Sequence, residues 1–241
     1  MNAEGCLICG GSELAPRLTG CQDLYLGTPW VVDFVCCMDC GLVQQHPVPQ
    51  DTRPFYPTDY PMHTPRGDLI RLARQVLIHG VYYRPKQEDA SATLLDFGCG
   101  DGEFLASIKD RVGRRIGLED APGQAASVAA RLGIETVHCL DPSTVQDESV
   151  DILTAHFVLE HLTDLRGTFA SWRRVVRPGG RLHIAVPNLD CFEARLFGRR
   201  WHGLDPPRHI SFPAGSNLTR LAATAGFEVV RHRNAVFPNT W

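Results

Sequence analysis

The sequence predicts an α/β protein: a doubly wound, mostly parallel sheet preceded by a small cysteine-rich module. Three observations carry that expectation. From residue 92 onward, short apolar runs alternate with helix-period patterns across short connections. A glycine-rich turn, with Gly98, Gly100 and Gly102, follows the first apolar run and opens a helical pattern. Six of the nine cysteines lie before residue 46, four of them in two Cys-x-x-Cys pairs.

Residues 1–45 form the cysteine module. Residues 46–66 hold six prolines, which forbid a continuous helix and read as an extended connector. A lead-in helix is expected over 67–83, because Leu69, Leu72, Ala73, Val76 and Leu77 share one helical face. Residues 92–241 form the α/β domain. Strands are expected at 93–97, 115–119, 135–140, 150–156, 181–186 and 227–232. Helices are expected at 102–111, 123–132, 165–176 and 217–225, with Arg177-Pro178-Gly179-Gly180 as a turn.

Composition excludes several classes. The 241 residues are 44% hydrophobic, enough for a real core. The net charge of −3 argues against a bulk electrostatic grip on nucleic acid. No apolar run approaches the ~18 residues of a membrane span. Residues 1–10 lack the basic and apolar regions of a secretory signal. These features point to a cytoplasmic chain whose cysteines are metal ligands or buried thiols, not disulfides. Cys6-x-x-Cys9 and Cys37-x-x-Cys40 aim four thiolates at one tetrahedral ion, which predicts structural Zn2+. Cys36 could replace a neighbour but breaks the spacing, and Cys21 reads as an ordinary thiol. A redox pair is the competing reading; it would place one Cys-x-x-Cys within a βαβ pattern, and these two precede it.

The glycine turn reads Asp96-Phe97-Gly98-Cys99-Gly100-Asp101-Gly102-Glu103. A dinucleotide loop of the Gly-x-Gly-x-x-Gly type would need glycine at 103, and a phosphate loop would need Gly-Lys-Ser/Thr; neither is present. The segment resembles the first motif of the class I S-adenosylmethionine-dependent methyltransferases, which have a Rossmann-like fold. Downstream matches follow in order: Glu119 ending the second strand, Asp151 opening the fourth, Leu159-Glu160-His161 after it, and Pro178-Gly179-Gly180 before the fifth. The resemblance implies S-adenosylmethionine held by Asp96, Gly98, Cys99, Gly100, Gly102 and Glu119. Glu119 would take the ribose hydroxyls, since a carboxylate offers two acceptors to a diol. Asp141 would face the adenine amine, or else serve only a turn with Pro142. Ala155 and His156 would border the cofactor, and Cys99 also reads as a small packing residue.

The cysteine segments resemble the zinc ribbon that precedes certain bacterial methyltransferases, among them sugar C-methyltransferases. That resemblance implies a small-molecule acceptor, including nucleotide-linked or phosphorylated ones, and makes residues 188–215 an acceptor-side insertion. In the sugar group the stretch comparable to 201–212 carries a Tyr and a Glu-His pair. Here His209 matches the His, while Arg208 and Pro206 stand in for the Glu and the Tyr, which puts carbon deprotonation in doubt. His209 is the candidate base, against a structural hydrogen-bonded histidine. His161 is a second candidate, against packing or loop support together with Glu160. Arg195, Arg199, Arg200 and Arg208 could clamp a phosphate or form a solvated helix face. Tyr56, Tyr60 and His63 could line the acceptor pocket. Residues 233–241 are too few for a connection and a normal strand, so the family's seventh strand is expected to be absent or rudimentary, as in a fragment. The competing functions are an RNA or protein methyltransferase docking through the ribbon, and a non-catalytic cofactor-binding domain.

Overall fold

The computed structural model describes residues 5–56, 82–137 and 139–234. Tyr60, His63, residues 235–241 and all but the last two residues of the expected lead-in helix lie outside that range. The chain divides into two compact units. One comprises Met1–Thr58, Leu159–Phe169 and Val186–Trp241; the other comprises Asp59–Val158 and Ala170–Ala185.

The first unit is built on an antiparallel sheet of β1 (Leu14–Gln22), β2 (Val31–Cys37), β3 (Val43–His46) and β9 (Ser211–Phe212), in the order β1-β2-β3-β9. In the β1–β2 loop the Asp23 carboxylate accepts from the Tyr25 and Leu26 amides and the Thr28 hydroxyl. Phe34, Val43, Trp201, Leu204 and Phe212 pack into its core. Two buried glutamines join distant segments of this unit. Gln44 accepts from the Leu7 amide and donates to the Gly5 carbonyl. Gln45 donates to the carbonyls of Pro207 and His209. Helices α4 (Phe192–Phe197) and α5 (Gly215–Thr224) complete the unit.

The second unit holds a parallel sheet of β4 (Thr93–Phe97), β5 (Arg114–Leu118), β6 (Glu135–Val137), β7 (Val150–His156) and β8 (Val176–Ala185), ordered β6-β5-β4-β7-β8. Strand order reverses at β4, so the turn after β4 lies at the crevice where doubly wound sheets take ligands. Leu94, Leu95, Asp96 and Phe97 are all buried, as a central strand requires. Helices α1 (Glu103–Ser107) and α2 (Pro122–Leu132) make the first crossovers. Leu105, Ile108, Val112 and Val128 pack with Leu94 and Ile152. Helix α3 (Leu165–Val175) begins in the first unit and ends in the second, and it buries Leu165, Phe169, Trp172 and Val175 at helical spacing.

Four expectations change. Helix α1 stops at Ser107, and Ile108 and Val112 reach the core from a turn instead. Strand β6 ends at Val137, three residues early. The Pro-Gly-Gly turn lies inside β8. Between the pairs Val150–Val176 and Ile152–Arg181, four residues of β8 oppose one of β7, and Gly179 takes the left-handed conformation that this bulge needs. Residues 227–232 form no strand; their Phe-Glu-Val-Val pattern has strand propensity, but Val229 and Val230 are exposed. No helix among the described residues is long and apolar enough to cross a membrane.

Candidate active site

In the second unit the β4–α1 turn carries Gly98, Gly100 and Gly102, all with positive φ (73°, 55° and 73°). At Gly98 a Cβ would lie 2.5 Å from Val158 Cγ2, and at Gly102 one would lie 2.8 Å from Val128 Cγ1. At Gly100 nothing lies within 4 Å of that position, so the main chain there faces open space. Gly98→Ala is therefore expected to cost about 2–4 kcal/mol, from left-handed strain and overpacking against a stiff valine. Urea unfolding of the purified variant checks this, and an unchanged midpoint would contradict it.

Two carboxylates frame the turn. Asp96 is buried on β4 and accepts from Thr154 Oγ1 at 2.6 Å, with His156 Nδ1 3.6 Å away. Glu119 follows β5. Its Oε2 accepts from the Gly100 amide at 2.7 Å and its Oε1 from the Ala121 amide at 3.0 Å. Cys99 is buried, and burial pushes its thiol up, with the Asp96 and Glu119 charges acting in the same direction. It packs where a Cβ on Gly117 would touch its sulfur. Ala155 is buried at the end of β7. Asp141 caps the turn Pro142–Thr144, its two oxygens accepting from Ser143 N and Oγ.

An aromatic group that the sequence reading did not single out gathers around His156. Tyr82, Phe104 and His183 lie 4.6, 4.7 and 5.3 Å from its ring centroid. His156 Nε2 accepts from the Tyr83 amide, and burial lowers His183 to about 4. Tyr82 and Phe104 are separated by 22 positions and share no motif, so only the fold brings them together.

In the first unit the four expected cysteines converge. The sulfurs of Cys6, Cys9, Cys37 and Cys40 all lie within 4.8 Å of one another, with Cys6–Cys40 at 3.4 Å and Cys9–Cys37 at 3.5 Å. A tetrahedral zinc with sulfurs about 2.3 Å away places them about 3.8 Å apart. The two knuckles repeat each other. Gly10 donates to the Cys6 carbonyl and Cys6 to Gly11, while Gly41 donates to the Cys37 carbonyl and Cys37 to Leu42. Gly10 and Gly41 have φ of 77° and 76°. The Gly11 amide also donates to Cys9 Sγ. Burial pushes Cys6 and Cys40 up; at Cys9 it acts the same way but is outweighed by the Gly11 amide and the Cys37 thiol, which lower it. Cys21 is fully buried, and burial pushes it up to about 11, as expected of an inert thiol.

His161 and His209 also lie in the first unit, 4.7 Å apart between ring centroids. His161 Nδ1 is 3.0 Å from the Arg208 carbonyl and 2.9 Å from Tyr56 Oη. His209 Nδ1 is 2.9 Å from the Gly203 carbonyl. A carbonyl only accepts, so both Nδ1 atoms carry protons and both Nε2 atoms present lone pairs. Burial lowers both rings, His161 to about 3 with the nearby His209 adding to the effect. Glu160 is completely buried, neither of its carboxylate oxygens has a hydrogen-bond partner, and burial raises it to about 8.

Arg208 does not belong to a solvent-facing clamp. It is fully buried, forked onto Asp23 at 2.8 and 2.8 Å and bonded to Asp205 at 2.6 and 3.0 Å. Its selection as a phosphate ligand is overturned, because both faces of the guanidinium fork are already filled. Arg195, Arg199 and Arg200 remain exposed, and Arg199 donates to the Thr19 carbonyl.

Comparison with known proteins agrees with this geometry. Residues 69–232 match the family described as a methyltransferase domain. A protein of Mycolicibacterium smegmatis described as a probable S-adenosylmethionine-dependent methyltransferase is 34% identical over 154 residues, covering 62% of this chain and 57% of that protein. The malonyl-[acyl-carrier protein] O-methyltransferase of Hahella chejuensis is 27% identical over 148 residues, covering 58% and 52%. The chain thus spans about half the length of these curated relatives. The crystal structure of an S-adenosylmethionine-dependent methyltransferase from Archaeoglobus fulgidus superposes with a TM-score of 0.52 at 18% identity, covering 67% of this chain and 69% of that one, a likeness of fold. The family match spans more than half of the chain and includes the glycine turn, Glu119 and the whole parallel sheet: the chain belongs to the S-adenosylmethionine-dependent methyltransferases.

Proposed function

We propose that this chain transfers the methyl group of S-adenosylmethionine to a small-molecule acceptor, such as a sugar, a lipid or a natural-product precursor. The observation that carries the cofactor assignment is the glycine turn at the strand-order reversal. Its open main chain at Gly100 lies beside the Glu119 carboxylate, which still has lone pairs for a ribose diol. Gly98, Gly100 and Gly102 let the cofactor approach the backbone. Asp96 and Cys99 support the turn, and Ala155 and His156 border the pocket. Asp141 is committed to Ser143 and contributes a capped turn at the rim. When bound, the cofactor supplies an already activated methyl on sulfur, so the chain mainly positions and desolvates the reactants.

Two observations favour a small acceptor over RNA. Residues 5–46 contain one Arg against four acidic residues, a poor surface for phosphate. Relatives are named as malonyl-[acyl-carrier protein] O-methyltransferases and a ubiquinone biosynthesis O-methyltransferase, and none of these names mentions RNA. The four-cysteine cluster, in this reading, holds a structural zinc that organises the antiparallel module. His161 and His209 keep Nε2 lone pairs but, with burial lowering both rings, are read as fixed imidazoles and not as the base of the transfer. The test is transfer of labelled methyl from S-adenosylmethionine to panels of hydroxylated acids, acyl carriers, sugars and bulk RNA. Label in the small molecules supports the proposal, whereas label in RNA alone overturns it.

A further inference from the structure

We infer that Glu160, His161 and His209 form a binding site for one divalent transition-metal ion, distinct from the four-cysteine cluster. A carboxylate oxygen of Glu160 and a ring nitrogen of each histidine lie within 4.8 Å of one another. Ligand atoms about 2.0–2.2 Å from one ion are at most about 4.4 Å apart, close to this span.

Three features of the site point to a cation. First, Glu160 is 0% exposed with both oxygens unpartnered. A buried carboxylate without a partner is a costly arrangement. A cation satisfies both oxygens. Second, each histidine gives its Nδ1 proton to a main-chain carbonyl, Arg208 for His161 and Gly203 for His209. That outer bond fixes the ring and the tautomer and leaves Nε2 as the donor, the usual preparation of a metal-binding histidine. Third, the segments are fixed to one another: the Ile210 amide donates to the Glu160 carbonyl, and Gln45 donates to the carbonyls of Pro207 and His209.

Two imidazole nitrogens and one carboxylate suit Zn2+, Fe2+, Co2+ or Mn2+ and leave coordination positions open. Asp205, with an oxygen 4.0 Å from His209 Nε2, adds negative charge nearby, although both of its oxygens already accept from Arg208.

The test loads the full chain with excess Co2+, removes unbound metal, and reads metal content and the visible spectrum together. The expected result is two cobalt ions per chain: one with the intense bands of thiolate ligation, one with only the weak bands of nitrogen and oxygen ligation. Glu160→Gln and His209→Gln should each fall from two ions to one while keeping the thiolate bands, which report that the cysteine module is folded. Saturation of the unmodified chain at one thiolate-ligated ion overturns the inference, as does a Glu160→Gln chain that still binds two. If a variant loses both ions, the count in the unmodified chain decides. One ion without thiolate bands would sustain this site and overturn the zinc reading of the cysteines instead.

Discussion

With the proposed zinc at the four cysteines, replacing Cys9 with Ser is expected to release that ion and unfold the antiparallel module. Structural zinc contributes about 10–16 kcal/mol to the folding of small zinc modules, more than most domains have in reserve. The module around the ion is thin. Residues 5–13 contribute Cys6, Leu7 and Ile8 to buried positions and contact β3 through Gln44. Without the ion, four thiols within 4.8 Å of one another have only weak mutual hydrogen bonds. Zinc content and amide exchange over β1–β3 check the expectation. The variant should hold less zinc at the cysteines and lose protection across the whole sheet. Cys36→Ser should do neither, because that cysteine is outside the cluster. A Cys9→Ser chain with full protection would show that the fold does not depend on metal.

The second large effect is at Arg208. Its guanidinium satisfies Asp23 and Asp205 in a site where Arg208 and Asp23 have fully buried side chains. Arg208→Leu leaves two carboxylates facing each other without a cation, and losing one partner of a buried pair costs about 3–5 kcal/mol. Thermal unfolding should show that loss, and Asp23→Asn in the same chain should recover part of it. The pH dependence carries a sign. Burial pushes the Asp23 carboxyl up, but Arg208 and the donors Leu26 N and Thr28 Oγ1 outweigh it and hold the group at about 2. A carboxyl depressed below its ordinary ~3.9 adds stability above that value and loses it as pH falls toward 2. The acid-side loss should therefore be shallower in Arg208→Leu. Equal slopes would contradict the assignment.

These two sites differ in how far the sequence revealed them. The cysteine cluster was legible because its information is local: two short knuckles each carry their own spacing and glycine. The parallel sheet was legible for the same reason, as each strand–helix step declares its period. Arg208 was misread because its partner Asp23 lies 185 positions away, and nothing in a run of arginines says that one of them turns inward. The Glu160–His161–His209 cluster spans 49 positions, and its segments meet where the Ile210 amide donates to the Glu160 carbonyl, a contact that local patterning does not encode. Residues 227–232 failed for the opposite reason. Their pattern suits a strand, but strand formation depends on pairing and burial, not on the pattern alone.

The central claim is that the turn at residues 98–102 and Glu119 bind S-adenosylmethionine. Calorimetric titration of the cofactor into the unmodified chain and into Glu119→Ala tests it most directly. One-to-one saturable binding is predicted, weakened roughly tenfold or more in the variant, since a hydrogen bond to a charged group contributes about 1.5–3 kcal/mol. A folded chain that binds no cofactor, or a Glu119→Ala chain that binds it equally well, would contradict the claim.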